Sequence, residues 1–382
     1  MPKVNIIKIS APAGTGKLTE DLERLLGPLG GMAAFVRPGD KVLLKPNVGE
    51  IVPADSPAIT SVHVTEAAAQ LAHKAGAAEV WIAESCIIGG STEEAFKTSG
   101  YTEMAERAGI RLIDLKQEGC LSVTVTNHLQ LEQIDIFERT LEADVIINLP
   151  KLKTIVATTM SVAMKNLKGL IPDNEKKRCH HTNLSRAIVD ICQVIKPSLT
   201  IVDGIVGCGL NEAIPHNILI AGDNMVAVDA VSARCMGIEP GQVKYLSLAS
   251  KTGLGPLSPD EITLTGMRPD EVMLNYPVAM GDLDGYIKLY PRIQIASGKA
   301  CSGCVNMIDY LIKKAKAQGV YEKWEDKLVL AIGPEAPLDY PGKTVLCLGN
   351  CLEERHEGNY ISGCTFMGTE AVRWLKEHDP DL

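Results

Sequence analysis

Asp144-Val145-Ile146-Ile147-Asn148-Leu149-Pro150-Lys151-Leu152-Lys153-Thr154 is the stretch on which the reading of the fold turns. A short apolar run stops at a proline and gives way at once to lysines. Such a run fits a strand buried on both faces. Runs of the same kind lie at Lys41 to Leu44, Glu79 to Ala83, Leu199 to Val202 and Asn217 to Ala221, with a further strand-like run at Val4 to Ile9. Helical patterns separate many of them. Ser61 to Ala75 is rich in alanine and ends at Gly76, and Asn183 to Ile195 places Leu184, Ala187, Ile188, Ile191 and Ile195 on one helical face. Met225 to Met236 and Gln242 to Ala249 read as two more helices. Strands alternating with helices predict an α/β domain with a largely parallel or mixed sheet and flanking helices, whose ligands sit at the carboxyl ends of strands.

The texture changes after Gly255, where Pro256, Pro259, Pro269, Pro277 and Pro291 interrupt the pattern. We therefore expect a first domain over residues 1–255 and a C-terminal cysteine-rich unit over 256–382. The second is a small α/β unit with helices near Asn306 to Gln318 and Thr369 to Glu377 and strands at Leu328 to Ile332 and Thr344 to Leu348.

With 382 residues and 46% hydrophobic content, the chain can bury a core without covalent staples. Its net charge of -9 argues against a protein built to bind nucleic acid or an anionic membrane surface. Few aromatic residues (3 Trp, 9 Tyr and 4 Phe) leave little for base stacking. No run approaches the length of a membrane span, and the N-terminus lacks the apolar region and cleavage site of a signal peptide. The expected location is the cytoplasm, where eleven cysteines are better explained by metal or redox chemistry than by disulfides.

Five of those cysteines fall near the C-terminus, as Cys301-x2-Cys304, Cys347-x3-Cys351 and Cys364. Gly303 permits the tight turn of the first pair, Cys351 follows Gly349-Asn350, and Cys364 follows Ser362-Gly363. Cys347 lies inside a strand run and reads as core. Cys301, Cys304, Cys351 and Cys364 are thus the expected ligands, of a [4Fe–4S] cluster in the leading reading, with zinc or unligated thiols as alternatives. Cys86, Cys120, Cys192 and Cys235 sit in or beside apolar runs and read as small core residues.

Lysines gather after strands against the global negative charge. Lys45-Pro46-Asn47, Lys151-Leu152-Lys153 and Lys165-Asn166 predict a pocket for a carboxylate or phosphate, lined by Lys45, Asn47, Lys151, Lys153, Lys165 and Asn166. Lys176, Lys177 and Arg178 read as surface charges on a loop. Of His180 and His181, which follow that run, one is a candidate proton carrier, and His180 is the choice. Asp203, closing the strand before Gly204, is a candidate base or an orienter of lysine. Asp229 in an apolar helix needs a partner, which a pocket lysine would supply, with a structural role at a helix N-terminus as the alternative. Two motifs read as decoys. Ala13-Gly14-Thr15-Gly16-Lys17 lacks the P-loop pattern because Ala11 and Leu18 occupy its remaining positions, and Glu84-Ser85-Cys86 lacks the flanking glycines of a nucleophile elbow.

These pieces together resemble the DUF362 family, a domain of unknown function found in bacterial and archaeal iron–sulfur proteins. The matching segments are Val42 to Asn47, Leu149 to Thr154, Lys165 to Gly169, His180, Ile201 to Gly204 and Ala227 to Ala230. The resemblance implies an iron–sulfur cofactor, and Gly363-Cys364 resembles the last ligand of such segments. Where the family pattern has Thr-His-Pro, this chain has Thr60-Ser61-Val62, so no histidine role carries over there. The expected function is a redox protein of anaerobic metabolism. It couples the cluster to a small anionic ligand or passes electrons to a redox protein partner. A non-redox isomerase or lyase and a pure electron carrier or cluster-assembly protein are the rivals.

Overall fold

Valine, isoleucine and leucine dominate the short runs that begin the chain's strands, and these side chains are almost wholly buried. The computed structural model describes residues 1–10, 14–279, 283–287, 290 and 292–378. Ala11 and Ala13 of the apparent phosphate loop, and Pro291, lie outside the described residues. The chain divides into two units. Unit 1 comprises residues 1–154, 160–179 and 183–277; unit 2 comprises 155–159, 180–182 and 278–382.

In unit 1 the strands are β1 (Lys3–Lys8), β2 (Lys41–Pro46), β3 (Glu79–Glu84), β4 (Arg111–Asp114), β5 (Cys120–Thr124), β6 (Gln133–Phe137), β7 (Val145–Leu149), β8 (Lys151–Ile155), β9 (Thr159–Ser161), β10 (Leu199–Gly209), β11 (Glu212–Gly222) and β12 (Thr263–Gly266), with β8 and β9 running across the unit boundary. The main sheet runs in the order β12-β1-β11-β10-β7-β2-β3-β4, and β8 pairs beside β10. From β10 to β4 every neighbour is parallel, whereas β11 is antiparallel to both β10 and β1. The sheet is therefore mixed, with a parallel half that carries the lysine segments. β5 and β6 form a separate antiparallel pair.

Helices Thr15–Leu26 and Val62–Lys74 pack their apolar faces on this sheet and share a core with Leu44, Ile82, Ile147 and Ile201. The expected strand ending at Asp203 instead continues through Gly209, because β10 and β11 form a long hairpin that shifts register between Gly204 and Val206. The division between the units also falls at Pro277, not at the expected 255/256. The reason is β12, which pairs in register with β1 and so belongs to the large sheet.

Unit 2 is built on a parallel sheet of β13 (Gln294–Ser297), β14 (Leu328–Ile332), β15 (Thr344–Leu348) and β16 (Tyr360–Ile361), in that order. Helices Ser302–Ala317 and Gly368–Glu377 belong to this unit. Among the described residues no helix is long and apolar enough to cross a membrane.

Candidate functional site

Unit 1 gathers its lysines where β2, β3 and β7 end and β8 begins. Lys45 is fully buried, and its Nζ donates to Glu84 Oε2 and to Pro46 O, each at 2.7 Å. Glu84 also accepts from Val48 N at 3.0 Å and Ser85 N at 2.8 Å. Burial lowers the Lys45 ammonium from its usual value, while Glu84 acts to raise it. Gly169 passes directly over this pair: a Cβ there would meet Glu84 Oε1 at 2.0 Å and Lys45 Nζ at 2.6 Å. The Lys165-to-Gly169 segment thus ends in glycine because the backbone must approach a buried ion pair.

Lys151 and Lys153 share one face of β8 by strand alternation. Lys151 Nζ donates to Asp203 Oδ2 at 2.8 Å, and Asp203 further accepts from Ser61 N at 2.8 Å and Ile205 N at 3.1 Å. Asp203 therefore orients Lys151. Lys153 Nζ reaches Asn47 Oδ1 at 3.3 Å and Ala58 O at 3.1 Å, with Glu50 Oε1 at 3.9 Å. Asn47 Nδ2 donates to Asn166 Oδ1, and Asn166 Nδ2 donates to Asn148 Oδ1 and Lys45 O.

Two of the lysines expected to meet an anion, Lys45 and Lys151, are therefore neutralised inside the protein by Glu84 and Asp203. Lys165 is different. Among the described residues its ammonium makes no hydrogen bond and no ion pair within 4 Å, and the residue is not fully buried. Burial and the cations of Lys168 and Lys153 hold it well below its usual value, with Glu50 opposing. The backbone just before it is held by Asp229, which accepts from Ala163 N at 2.6 Å and Met164 N at 3.1 Å. Of the two roles expected for Asp229, a partner of a pocket lysine or a structural one, the first is not what its hydrogen bonds show. It caps this loop instead, with Tyr245 Oη at 3.4 Å, and burial pushes its carboxyl up to about 7.

The basic run at Lys176 needs the opposite correction. Lys176 is buried in helix Asp173–His181 and donates to Ser85 O at 2.9 Å, Cys86 O at 2.7 Å and Asp173 Oδ1 at 3.2 Å. Lys177 is exposed as expected, and Arg178 pairs with Glu175. Lys17 of the phosphate-loop decoy pairs with Glu20 and Asp21.

In unit 2 the four candidate metal ligands follow the carboxyl ends of parallel strands. Cys301 follows β13 and caps helix Ser302–Ala317, Cys304 lies in its first turn, Cys351 follows β15 and Cys364 follows β16. A Cβ on Gly349 would stand 3.4 Å from Cys304 Sγ and 3.8 Å from Cys351 Sγ, and Gly349 has φ +97°. The loops are laced together. Asn350 N donates to Gly363 O at 3.1 Å, Gly363 N donates to Asn350 Oδ1, and Phe366 N donates to Cys304 Sγ.

The Cys304 thiol hydrogen-bonds Cys301. That bond, with the backbone N–H groups of Cys304 and Gly303 and the nearby His181, lowers Cys301 to about 5 against the opposing effect of burial. His181 Nε2 lies 3.3 Å from Cys364 Sγ, and His180 Nδ1 lies 2.7 Å from Ser302 Oγ. Both histidines thus fall in unit 2, whereas Asp203, the other expected proton carrier, falls in unit 1. As they stand, no three His, Cys, Asp or Glu side chains among the described residues make a ready-made metal-ligating group. Ligation of a metal by Cys301 and Cys304 would require both thiols to give up their protons.

Cys347 is buried in the core beside Val329 and Leu352, as expected of a strand residue. Cys86, Cys192 and Cys235 are also buried, but Cys120 is exposed on β5. Sequence reasoning did not single out Glu84, Glu50 or Lys168 as site residues. For Glu84 a signal existed: an acid at the end of a buried strand demands a cation.

The structural likeness to solved proteins is slight. The lactate racemase apoprotein of Thermoanaerobacterium thermosaccharolyticum aligns with 11% identity and a TM-score of 0.39, over 86% of this chain and 68% of that one. A structural-genomics protein of Thermotoga maritima aligns with 15% identity and a TM-score of 0.37, over 64% of this chain and 60% of that one. Sequence similarity is firmer. A thylakoid-associated protein of Synechocystis sp. is 30% identical over 272 residues, covering 68% of this chain and 82% of that protein. The family model for a domain of unknown function, DUF362, matches residues 42–234, the span that holds Lys45, Glu84, Lys151, Lys165, Asp203 and Asp229. With half its length matched by that model, the chain belongs to the DUF362 family.

Proposed function

We propose that this chain is an iron–sulfur redox protein in which Cys301, Cys304, Cys351 and Cys364 hold one [4Fe–4S] cluster, and in which Lys165 and Lys153 bind a small anionic ligand. The observation that carries the reading is the gathering of the Cys304 and Cys351 sulfurs about the side-chain-free Gly349, with Cys301 hydrogen-bonded to Cys304. A bulky cofactor bound by loops needs close backbone approach, and positive φ at Gly349 supplies it. The cluster would supply one-electron transfer. The depressed Cys301 thiol offers a thiolate at neutral pH, the form a metal takes. In unit 1, Asn47 and Asn166 fix the two lysine segments relative to each other, and Asp229 fixes the turn that carries Lys165. Eleven cysteines without a disulfide suit a reducing compartment, and we place the protein in the cytoplasm.

A second reading is a structural zinc, favoured by the His181 nitrogen beside Cys364, a donor suited to zinc. Anaerobic purification separates the two. The cluster predicts brown protein with about four irons and four sulfides per chain. Ser at Cys301, Cys304 or Cys351 should bleach it, and Ser at Cys347 should not. Colourless protein carrying one zinc would overturn the cluster and the redox reading together.

A further inference from the structure

The amines around the ends of β2 and β8 are accounted for one by one. Lys45 holds Glu84, Lys151 holds Asp203, Lys153 bridges Asn47 and Ala58, and Lys176 holds Ser85, Cys86 and Asp173. Lys168 is also engaged. Lys165 is the exception among the described residues of this network, and it retains solvent access by which a ligand can reach it. Its placement is firm. The Asp229 carboxylate grips the two preceding N–H groups, and the Asn166 side chain is fixed by Asn47, Asn148 and Lys45 O.

We propose that Lys165 is a carbonyl-condensing amine whose Nζ adds to the ketone carbon of a small 2-oxo acid, with the carboxylate of that acid held by Lys153. The inference rests on the reading of Lys153 and Lys165 as an anion site and names the ligand class that site takes. An ammonium tied to a carboxylate is a structural cation. An amine with no hydrogen bond and no ion pair within 4 Å among the described residues, near the cations Lys153 and Lys168, is biased toward the neutral nucleophile, as its lowered proton affinity also indicates. In the condensation the nitrogen lone pair forms the new C–N bond and the carbonyl π pair moves to oxygen. The two amine hydrogens then leave with that oxygen as water, giving an imine. No electrons are gained or lost, and no further reactant is needed. Glu50, 3.9 Å from Lys153 Nζ and acting on Lys165 as an opposing charge, is the carboxylate this site offers for carrying the proton from nitrogen to oxygen, a role water can share.

The test uses the full chain, pyruvate as the carbonyl probe and borohydride to trap the imine, followed by peptide mass mapping. A reduced pyruvyl adduct is expected on Lys165. It should be absent in Lys165→Arg, which keeps the charge but not the nucleophile. Lysine 153 should act through affinity, so that Lys153→Met raises the half-saturating pyruvate concentration about tenfold or more. Lactate, with the same carboxylate and no ketone, should compete. If lactate binds in calorimetry but pyruvate leaves no adduct on Lys165, the imine is overturned and the anion site stands. If neither binds, both fall. Adducts spread over exposed lysines, equal in wild type and Lys165→Arg, likewise overturn the proposal. Mapping of the wild-type protein alone locates the adduct, so the result does not depend on the variant folding.

Discussion

Replacing Lys45 by Met should destabilise unit 1 strongly without bearing on ligand binding. Met keeps the volume of the side chain, so no large cavity opens. The loss is electrostatic. Glu84, whose side chain is 3% exposed, keeps only the N–H groups of Val48 and Ser85 as partners and loses a charge-assisted bond of 2.7 Å. Breaking one side of a buried ion pair typically costs about 3–5 kcal/mol. With a urea slope of about 2–3 kcal/mol per molar, the midpoint should fall by about 1–2.5 M. Removing both charges, in Lys45→Met with Glu84→Gln, should recover much of that loss, because the carboxylate no longer lies buried without its cation. Urea unfolding followed by hydrogen-exchange mass spectrometry on peptides of β2 and β3 reads unit 1 alone. A single variant within about 0.5 kcal/mol of wild type, or a double variant whose loss equals the sum of the two singles, would refute the internal pairing.

Three further outcomes follow from the same geometry. The Asp229 carboxyl, raised to about 7 in the fold, favours the native state when protonated. That stability is full below about pH 4 and is lost as pH rises through 7, by up to about 4 kcal/mol. The stability gap between wild type and Asp229→Asn should therefore narrow over that range, and a gap that widens would contradict the assignment. Gly349→Ala puts a methyl against the Cys304 and Cys351 sulfurs at positive φ, so anaerobic iron content should drop severalfold while circular dichroism of the whole chain changes little; undiminished iron would remove Gly349 from the site. Alkylation of the native chain should label Cys120 and leave Cys86, Cys179, Cys192, Cys208 and Cys235 unmodified until denaturant is added, as peptide mapping would read directly.

What could be read from sequence was what short-range pattern encodes. Val42-Leu43-Leu44 and Val145-Ile146-Ile147 announce strands because both faces of β2 and β7 are covered. The ends of β10 and β11 were not legible, since Gly204, Gly207 and Pro215 interrupt the apolar run while the hairpin pairing carries the strands onward. β8 was hidden because Lys151-Leu152-Lys153 alternates charge with leucine, and only tertiary pairing buries those charges. The same limit governs the site. Position in sequence marked the lysines, but their partners lie far away, Glu84 39 residues from Lys45 and Asp203 52 residues from Lys151. Nothing local distinguishes Lys165, which has no hydrogen-bond or ion-pair partner among the described residues, from Lys45, which has one. Lys176 shows the converse: a charge run resembles solvated surface until the chain folds back 91 residues to Ser85.

Unit 2 draws two short stretches, 155–159 and 180–182, from the middle of the polypeptide. His181 meets Cys364 across 183 positions of sequence, and His180 meets Ser302 across 122. On a ribosome adding about 5–20 residues per second, His181 emerges on the order of 10–40 s before its sulfur partner exists. The nascent chain must carry these stretches unsatisfied through that interval. Truncation at Pro277 would make the wait permanent, so gene fragments that end between the units are poor vehicles for studying unit 1, and a holdase acting late in translation would serve this protein better than one acting early.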